Sequence, residues 1–251
     1  MGKMSRSAAW KALDLLEDFV SGGFARRDRG ILEDAEAVDS GRGSPDPGPA
    51  EAPKPAARAM PAGNAAATGD RAEAISAIAR EIESCAACAL SLNRKKAVPG
   101  EGILDPLVLI VGEGPGEEED ASGRPFVGNS GKYLGTWLSP IGLSRERCFI
   151  SNCVKCRPPQ NREPHPDELA ACMPFLERQI EVLRPKTILC LGRIAAHDLL
   201  GTSASLASLR SRIHRFKDIP LVVTYHPSAV LRDPSLRRPV WEDLKMLKTL
   251  L

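Results

Sequence analysis

The sequence predicts an α/β protein. A single three-layer domain is expected, with a central, mainly parallel, four-stranded sheet and a disordered N-terminal extension before it. Two observations predict this. From residue 107 onward, short and wholly apolar runs alternate with stretches of helical length that are apolar on one side only. Strands apolar throughout are those of a parallel sheet covered on both faces. Residues 39–70 (DSGRGSPDPGPAEAPKPAARAMPAGNAAATGD) lack such alternation and are rich in Pro, Ala, Gly and Ser, too poor in apolar surface to order themselves.

The elements follow in order. Trp10, Leu13, Leu16, Phe19 and Val20 recur at helical spacing, predicting an amphipathic helix over 7–20 that stops at Gly22 and Gly23. This helix and an acidic segment make up residues 1–38, the flexible linker spans 39–70, and the folded domain runs over 71–251. Within that domain a helix is predicted over 71–83, and a strand over 107–111 (LVLIV) that ends in a Gly/Pro turn. A helix over 130–140 and a strand over 148–154 (CFISNCV) come next, then a helix over 166–183 with Pro166 near its start. A strand over 187–192 (TILCLG), a helix over 193–200 and a strand over 220–227 (PLVVTYHP) follow, and Pro239 opens the last helix. The sequence shows no internal repeat.

Composition excludes several classes. No apolar run in the 251 residues is long enough to span a bilayer, and the N-terminus lacks the apolar core of a signal peptide. Seven cysteines without a secretion signal indicate a reducing compartment, so a cytoplasmic protein without a membrane partner is expected. The net charge of +2 is unevenly spread: six Arg and one Lys against two Asp lie between Leu209 and Arg238, a stretch suited to phosphate. A solvated basic face is the plainer reading.

Four of the cysteines have metal-ligand spacing. Cys85 and Cys88 form a C-x2-C pair, and Cys156 and Cys172 follow after gaps of 67 and 15 residues. Four thiolates are the ligand set of a structural zinc or of an iron–sulfur cluster. Cys148, Cys153 and Cys190 fall in or beside apolar runs and read as core thiols.

Ligands of open α/β sheets bind beyond the carboxyl ends of the strands. The first predicted strand ends in Gly112-Glu113-Gly114-Pro115-Gly116, the second carries Asn152, and the fourth ends in His226-Pro227-Ser228. A carboxylate, a carboxamide and an imidazole would thus converge on one edge. The glycines do not form G-x-G-x-x-G, and Lys132 is followed by Tyr133 with Phe126 where a Walker loop needs Gly, so neither a dinucleotide nor a nucleoside triphosphate is supported.

The segments VGEGPGEEED (111–120), GRPFVGNSG (123–131), NCVKCRPPQNREPHPDELAAC (152–172) and TYHPSAVLR (224–232) resemble the family 4 uracil-DNA glycosylases, the iron–sulfur type, over roughly residues 71–251. The resemblance implies a base-excision repair enzyme that flips uracil out of DNA and hydrolyses its N-glycosidic bond, leaving an abasic site. It implies that Phe126 stacks on the uracil, that Asn152 reads its edge, and that His226 lies near O2. Glu113 would position the attacking water, with Gly114 beside it where most relatives have Ala. The 4Fe–4S cluster is implied in place of zinc, on Cys85, Cys88, Cys156 and Cys172. Val230 or Leu231 would wedge into the minor groove, with Arg232, Arg237 and Arg238 on phosphates. The expected partners are uracil-containing DNA, single- or double-stranded, and a protein bound through the helix at 7–20, the chain itself being a monomer. Two other readings compete: a catalytically silent iron–sulfur nucleic-acid-binding module of a polymerase or repair complex, and a zinc-stabilised hydrolase of small nucleosides.

Overall fold

The structure, a computed structural model, describes residues 65–251. The helix expected at 7–20, the acidic segment and the linker up to residue 64 lie outside the described residues. The first described helix, α1 (Ala65–Ser84), begins six residues before the expected domain start, so residues 65–70 are helical rather than linker. Ala65, Ala66 and Ala67 are the strongest of helix formers, and the composition that marked them as linker also suits a helix end.

The sheet has the strands β1 (Glu101–Gly102), β2 (Val108–Gly112), β3 (Cys148–Asn152), β4 (Thr187–Leu191), β5 (Ile213–Phe216) and β6 (Ile219–Thr224). Their order is β1-β3-β2-β4-β6-β5. The four central strands are parallel and coincide with the four predicted. The two extra strands are antiparallel edges. Neither left an apolar run to read: β1 has two residues, and β5 (IHRF) buries only Phe216. Short, polar edge strands of this kind close a sheet against further pairing. Two short helices, α2 (Glu117–Ser122) and α6 (Leu206–Leu209), lie after β2 and before β5.

Alternation sorts each central strand onto two cores. Val108, Ile110, Ile150, Leu189 and Val222 face α3 (Asn129–Leu138) and α8 (Arg237–Lys248), through Leu134, Trp137, Trp241 and Leu244. Leu109, Val111, Phe149, Ile188 and Val223 face α4 (Pro166–Leu183) and α5 (Arg193–Leu200), through Leu176, Ile180, Ala196 and Leu199. Two covered faces give the three layers that the apolar strands demanded. Cys148, Cys153 and Cys190 are wholly buried in these cores, as expected of core thiols, and burial pushes the Cys148 thiol up to about 12. Helix α1 lies against α4, with Ile78 and Ile82 beside Phe175 and Val182 and a two-pronged Arg178–Glu81 pair at the rim. That contact carries the C-x2-C pair at the end of α1 towards Cys172 on α4.

Two element ends differ from expectation for local reasons. Helix α8 starts at Arg237, so that Pro239 sits in its first turn, where its missing N–H has no helical partner to lose. Strand β6 stops at Thr224 because His226 becomes the N-cap of α7 (Pro227–Arg232) and Pro227 sets its first residue.

The end of β6 is held from behind. Asp243 of α8 is fully buried and accepts from Arg210 Nε and Thr224 Oγ1, both at 2.7 Å. Arg210 also lies 4.4 Å over the ring of Tyr225. Burial pushes the Asp243 carboxyl up, and the contacts from Arg210 and Thr224 oppose it. Removing one partner of a buried pair strands the other. Asp243→Ala is therefore expected to destabilise the protein by about 3–5 kcal/mol, read as a lower denaturant midpoint at unchanged slope. A loss below about 1 kcal/mol, the range of an exposed pair, would show that this pair does not hold the strand end.

Candidate active site

The carboxyl ends of β2, β3 and β6 open onto one cavity of about 440 Å³. Glu113, Gly114, Phe126, Asn152 and His226, the residues singled out from the sequence, all line it. The parallel register explains the meeting of the first and fourth: Gly112 pairs directly with Asn152, so the two strands end level. The chain after β3 then runs beside the Gly-rich loop, Cys153 N–H donating to Gly112 O at 2.9 Å and Val154 N–H to Glu113 O at 3.1 Å.

Asn152 is buried, yet its Oδ1 has no hydrogen-bond partner among the described residues. Leaving a buried amide oxygen unpaired costs about 1–3 kcal/mol, and its place on the cavity wall leaves it able to accept from a group that enters. A β-carbon on Gly112 would come within 2.5 Å of that oxygen and 2.6 Å of Phe126 Cζ, so glycine is required there. Phe126 is buried at the cavity wall with a φ of 51°. Its ring centroid lies 5.7 Å from that of His226. It belongs to the core cluster as well as to the cavity lining.

His226 Nδ1 accepts from the Ser228 backbone N–H at 3.2 Å and contacts Ser228 Oγ at 2.8 Å. A backbone N–H can only donate, so Nδ1 is the bare nitrogen of the neutral ring and Nε2 carries the proton. Burial first, and then the Arg232 charge, push the imidazole down to about 4. Burial raises the Glu113 carboxyl, the charge of Glu163 adds to this, and Arg193 opposes it. Arg193 and Glu163 are themselves an ion pair at the cavity rim.

Sequence reasoning missed Glu119. Its carboxylate accepts from Gly116 N–H at 3.1 Å, Val127 N–H at 2.9 Å and Gly128 N–H at 3.0 Å, which ties the Glu113 loop to the Phe126 loop. The signal was present in Gly116-x-x-Glu119, a capping-box spacing at the start of α2. Glu163 and Arg193 were missed as well, and no pattern in the sequence pairs them.

Two expectations about nucleic-acid contacts are corrected. Val230 is 1% exposed and packs in the core, whereas Leu231 is 48% exposed. The amphipathic turn of α7 points one inward and the next outward, so Val230 is no wedge. Arg210 of the basic stretch is spent on Asp243 and Tyr225 rather than left for phosphate. Arg232 is exposed and lines the cavity, Arg238 is exposed, and Arg237 is half-buried with its Nε enclosed.

The four spaced cysteines are brought into one region. Cys156 and Cys172 share a small apolar cluster with Leu90 and Val154, and Cys88 packs against it. Arg94 joins Cys156 to the chain just before Cys85, its Nη2 donating to Glu83 O at 2.7 Å. None is in a disulfide. N–H donors point at the sulfurs: Arg94 Nη1 at 3.0 Å from Cys156 Sγ, Lys155 N at 3.3 Å from Cys172 Sγ, and Ala87 N at 3.4 Å from Cys85 Sγ. Among the described residues, no three His, Cys, Asp or Glu side chains are grouped so as to hold a single metal ion. No described helix is long and apolar enough to cross a membrane.

The sequence also matches known proteins. The profile of the Uracil DNA glycosylase superfamily matches residues 99–245. The chain is similar to the type-4 uracil-DNA glycosylase of Sulfurisphaera tokodaii, 42% identical over 187 residues that make up 71% of this chain and 85% of that one. It is 45% identical over 173 residues to the type-4 uracil-DNA glycosylase of Pyrobaculum aerophilum, covering 66% and 88% of the two chains. To the type-4 uracil-DNA glycosylase of Thermotoga maritima it is 44% identical over 183 residues, covering 71% and 95%.

The state of His226 has a measurable consequence. Between pH 6.5 and about 4 the unfolded chain binds a proton here that the native chain does not. The stability from burying a neutral ring is therefore complete above 6.5 and is lost as pH falls towards 4. Long-range nitrogen NMR should show His226 as the Nε2–H tautomer at neutral pH, titrating near 4. A ring that titrates near 6.5 would show that it is not held neutral by its surroundings.

Proposed function

The chain belongs to the type-4 uracil-DNA glycosylases, and from that premise we propose how its own residues carry out the excision. As an enzyme of that family it is a DNA-repair glycosylase. The proposed substrate step is extrusion of a deoxyuridine from the stack into the cavity, since the bond to be broken is out of reach inside a duplex. Phe126 gives the extruded base a face to stack on.

One observation carries this reading: the unpartnered Oδ1 of Asn152, facing a cavity walled by Phe126 and His226. Uracil supplies what that oxygen lacks, an N3–H donor, and its O4 accepts from the amide Nδ2. Cytosine offers the opposite pattern at both atoms and would leave the carboxamide unsatisfied, so it is rejected by the desolvation cost.

Breaking the C1′–N1 bond sends its electron pair onto the uracil, where charge collects on O2, while the sugar becomes oxocarbenium-like. The Nε2–H of neutral His226 is the donor proposed for O2, an interaction that strengthens only as the charge develops. Water attacks C1′. Glu113, in its ionised form, orients that water, and its charge stabilises the cationic sugar; the attacking water then loses a proton to solvent and the departing uracil anion takes one up, leaving uracil and an abasic sugar. Arg193 favours the ionised form against the burial that raises Glu113. Leu231, exposed and next in the chain to cavity-lining Arg232, is the side chain proposed to fill the space the base leaves, with Arg232 and Arg238 on flanking phosphates.

We also propose that Cys85, Cys88, Cys156 and Cys172 hold a 4Fe–4S cluster. The donor set fits it: four free sulfurs from distant segments, shielded by apolar side chains, with N–H groups aimed at three of them. Held by these four cysteines, a cluster would tie the turn after α1 and the turn after β3 to α4, a structural cross-link away from the cavity lining.

Two experiments test these proposals. Uracil release from single- and double-stranded oligonucleotides should be fast for the protein as it stands. It should fall by about a hundredfold or more in Asn152→Asp, whose second oxygen meets uracil O4. Undiminished excision by Asn152→Asp would mean that the edge is read elsewhere. For the cluster, anaerobically purified protein should be brown, with iron and acid-labile sulfide in equal amounts. Cys172→Ala should lose both and fold poorly, while Cys153→Ala keeps both. Stoichiometric zinc in a colourless, active protein would overturn this assignment.

A further inference from the structure

A large aromatic residue with a positive φ stays there only if its surroundings hold it. Phe126, at 51°, is held at its own carbonyl. Arg145 Nη1 donates to Phe126 O at 2.7 Å, and Arg145 Nη2 donates to the carbonyl of Pro125. The guanidinium is fixed in turn by Glu101 Oε1, 2.8 Å from Nη2. Glu101 reaches back to the same loop, its Oε2 accepting from Arg124 Nε at 2.8 Å. Burial alone would raise the Glu101 carboxyl, but Arg124 and Arg145 bring it below its ordinary value, so it is charged at neutral pH. Residues 124, 125 and 126 are thus gripped by one carboxylate and one guanidinium. From the opposite side α3 leaves no slack, since a β-carbon on Gly131 would lie 1.7 Å from Phe126 O.

Neither Arg145 nor Glu101 touches the active-site cavity. They line a separate one of about 210 Å³ together with Arg124. Arg145 sits in the 3-10 turn that immediately precedes β3, the strand that ends at Asn152. Its planar fork therefore joins the segment that carries the edge-reading amide to the loop that carries the stacking ring. We infer that Arg145, locked by Glu101, is a positioning residue that sets the angle and depth of the Phe126 ring for the extruded base. The inference rests on the stacking role proposed for Phe126.

A double-mutant cycle tests it, using single-turnover excision of uracil from a single-stranded oligonucleotide. Phe126→Ala should slow the step by about tenfold to a hundredfold, the worth of one stacked base. Arg145→Ala should slow it by about tenfold or more, because a misplaced platform loses alignment. If Arg145 acts through the ring, the double variant is no slower than Phe126→Ala alone. Multiplying effects, or an Arg145→Ala protein at the unmodified rate, overturn the inference. Phe126→Ala at the unmodified rate overturns the stacking role, and the inference with it. That outcome differs from a slow Phe126→Ala beside a fast Arg145→Ala, which sinks the inference alone. Should Arg145→Ala fold poorly, Glu101→Gln removes the lock while keeping its shape. It should give a smaller slowing that vanishes in the Phe126→Ala background, and a slowing that persists there overturns the inference. Arg145→Lys restores the charge without the fork and should recover only part of the rate; full recovery would show that charge, not geometry, is what matters.

Discussion

The pairing of Gly112 with Asn152, at the last rung between two parallel strands, is the constraint on which the cavity depends. Parallel strands that end level set their trailing loops side by side. Here those are the Glu113 loop and the turn towards Cys156. The approach is so close that no side chain larger than hydrogen fits at 112, with Asn152 Oδ1 and the Phe126 ring both where a β-carbon would go. Glycine therefore does more than permit a turn. It lets a carboxamide, an aromatic ring and a backbone share one wall, each buried and each still facing the cavity.

Given that wall, the electrostatics follow from burial. Withdrawn from water, the His226 ring gives up its charge and Glu113 is pushed towards its neutral form. The first shift suits a donor that acts as a neutral imidazole. The second works against an ionised carboxylate, and Arg193 stands nearby to oppose it. Glu119 contributes differently: three backbone N–H groups from two loops converge on its carboxylate, so the geometry of both loops is set by a single side chain. A charge-assisted bond to each N–H is stronger than a neutral one, which suits a hinge between loops that must not drift.

Much of this was legible because the strands are buried on both faces. Wholly apolar runs such as 107–111 and 187–192 announce themselves, and the helices over 166–183 and 193–200 have the predicted bounds. The edge strands were not legible, because β5 mixes Ile213, His214, Arg215 and Phe216 and owes its state to its neighbour β6 rather than to its own pattern. At the site, residues on strand ends could be found by counting along the chain. Those that act across space, Glu119 on two loops or Arg193 on Glu113, leave no trace in one dimension beyond a capping spacing. Val230 and Leu231 show the same limit in miniature, since only the direction of α7 tells which of two adjacent apolar residues is core.

The cysteine region and the cavity are physically one piece, although their chemistry is separate. Asn152 and Cys156 are four residues apart, and buried Lys155 lies between them. Its Nζ donates to Asn152 O at 2.7 Å, to Ser151 Oγ at 2.6 Å and to Gln179 Oε1 at 2.9 Å, while its backbone N–H points at Cys172 Sγ. Gln179 in turn donates to Pro99 O at 2.6 Å. One ammonium thus fastens the end of β3 to α4 and, through Gln179, to the chain before β1. Burial pushes that ammonium down to about 8, and the negative charge nearby, including that of Asp198, opposes the shift. Whatever orders the four sulfurs orders the turn that carries Lys155, and through it the peptide of Asn152. A cross-link at the cysteines therefore needs no contact with a ligand to matter for the cavity, because the strand end that presents the carboxamide is anchored in the same turn.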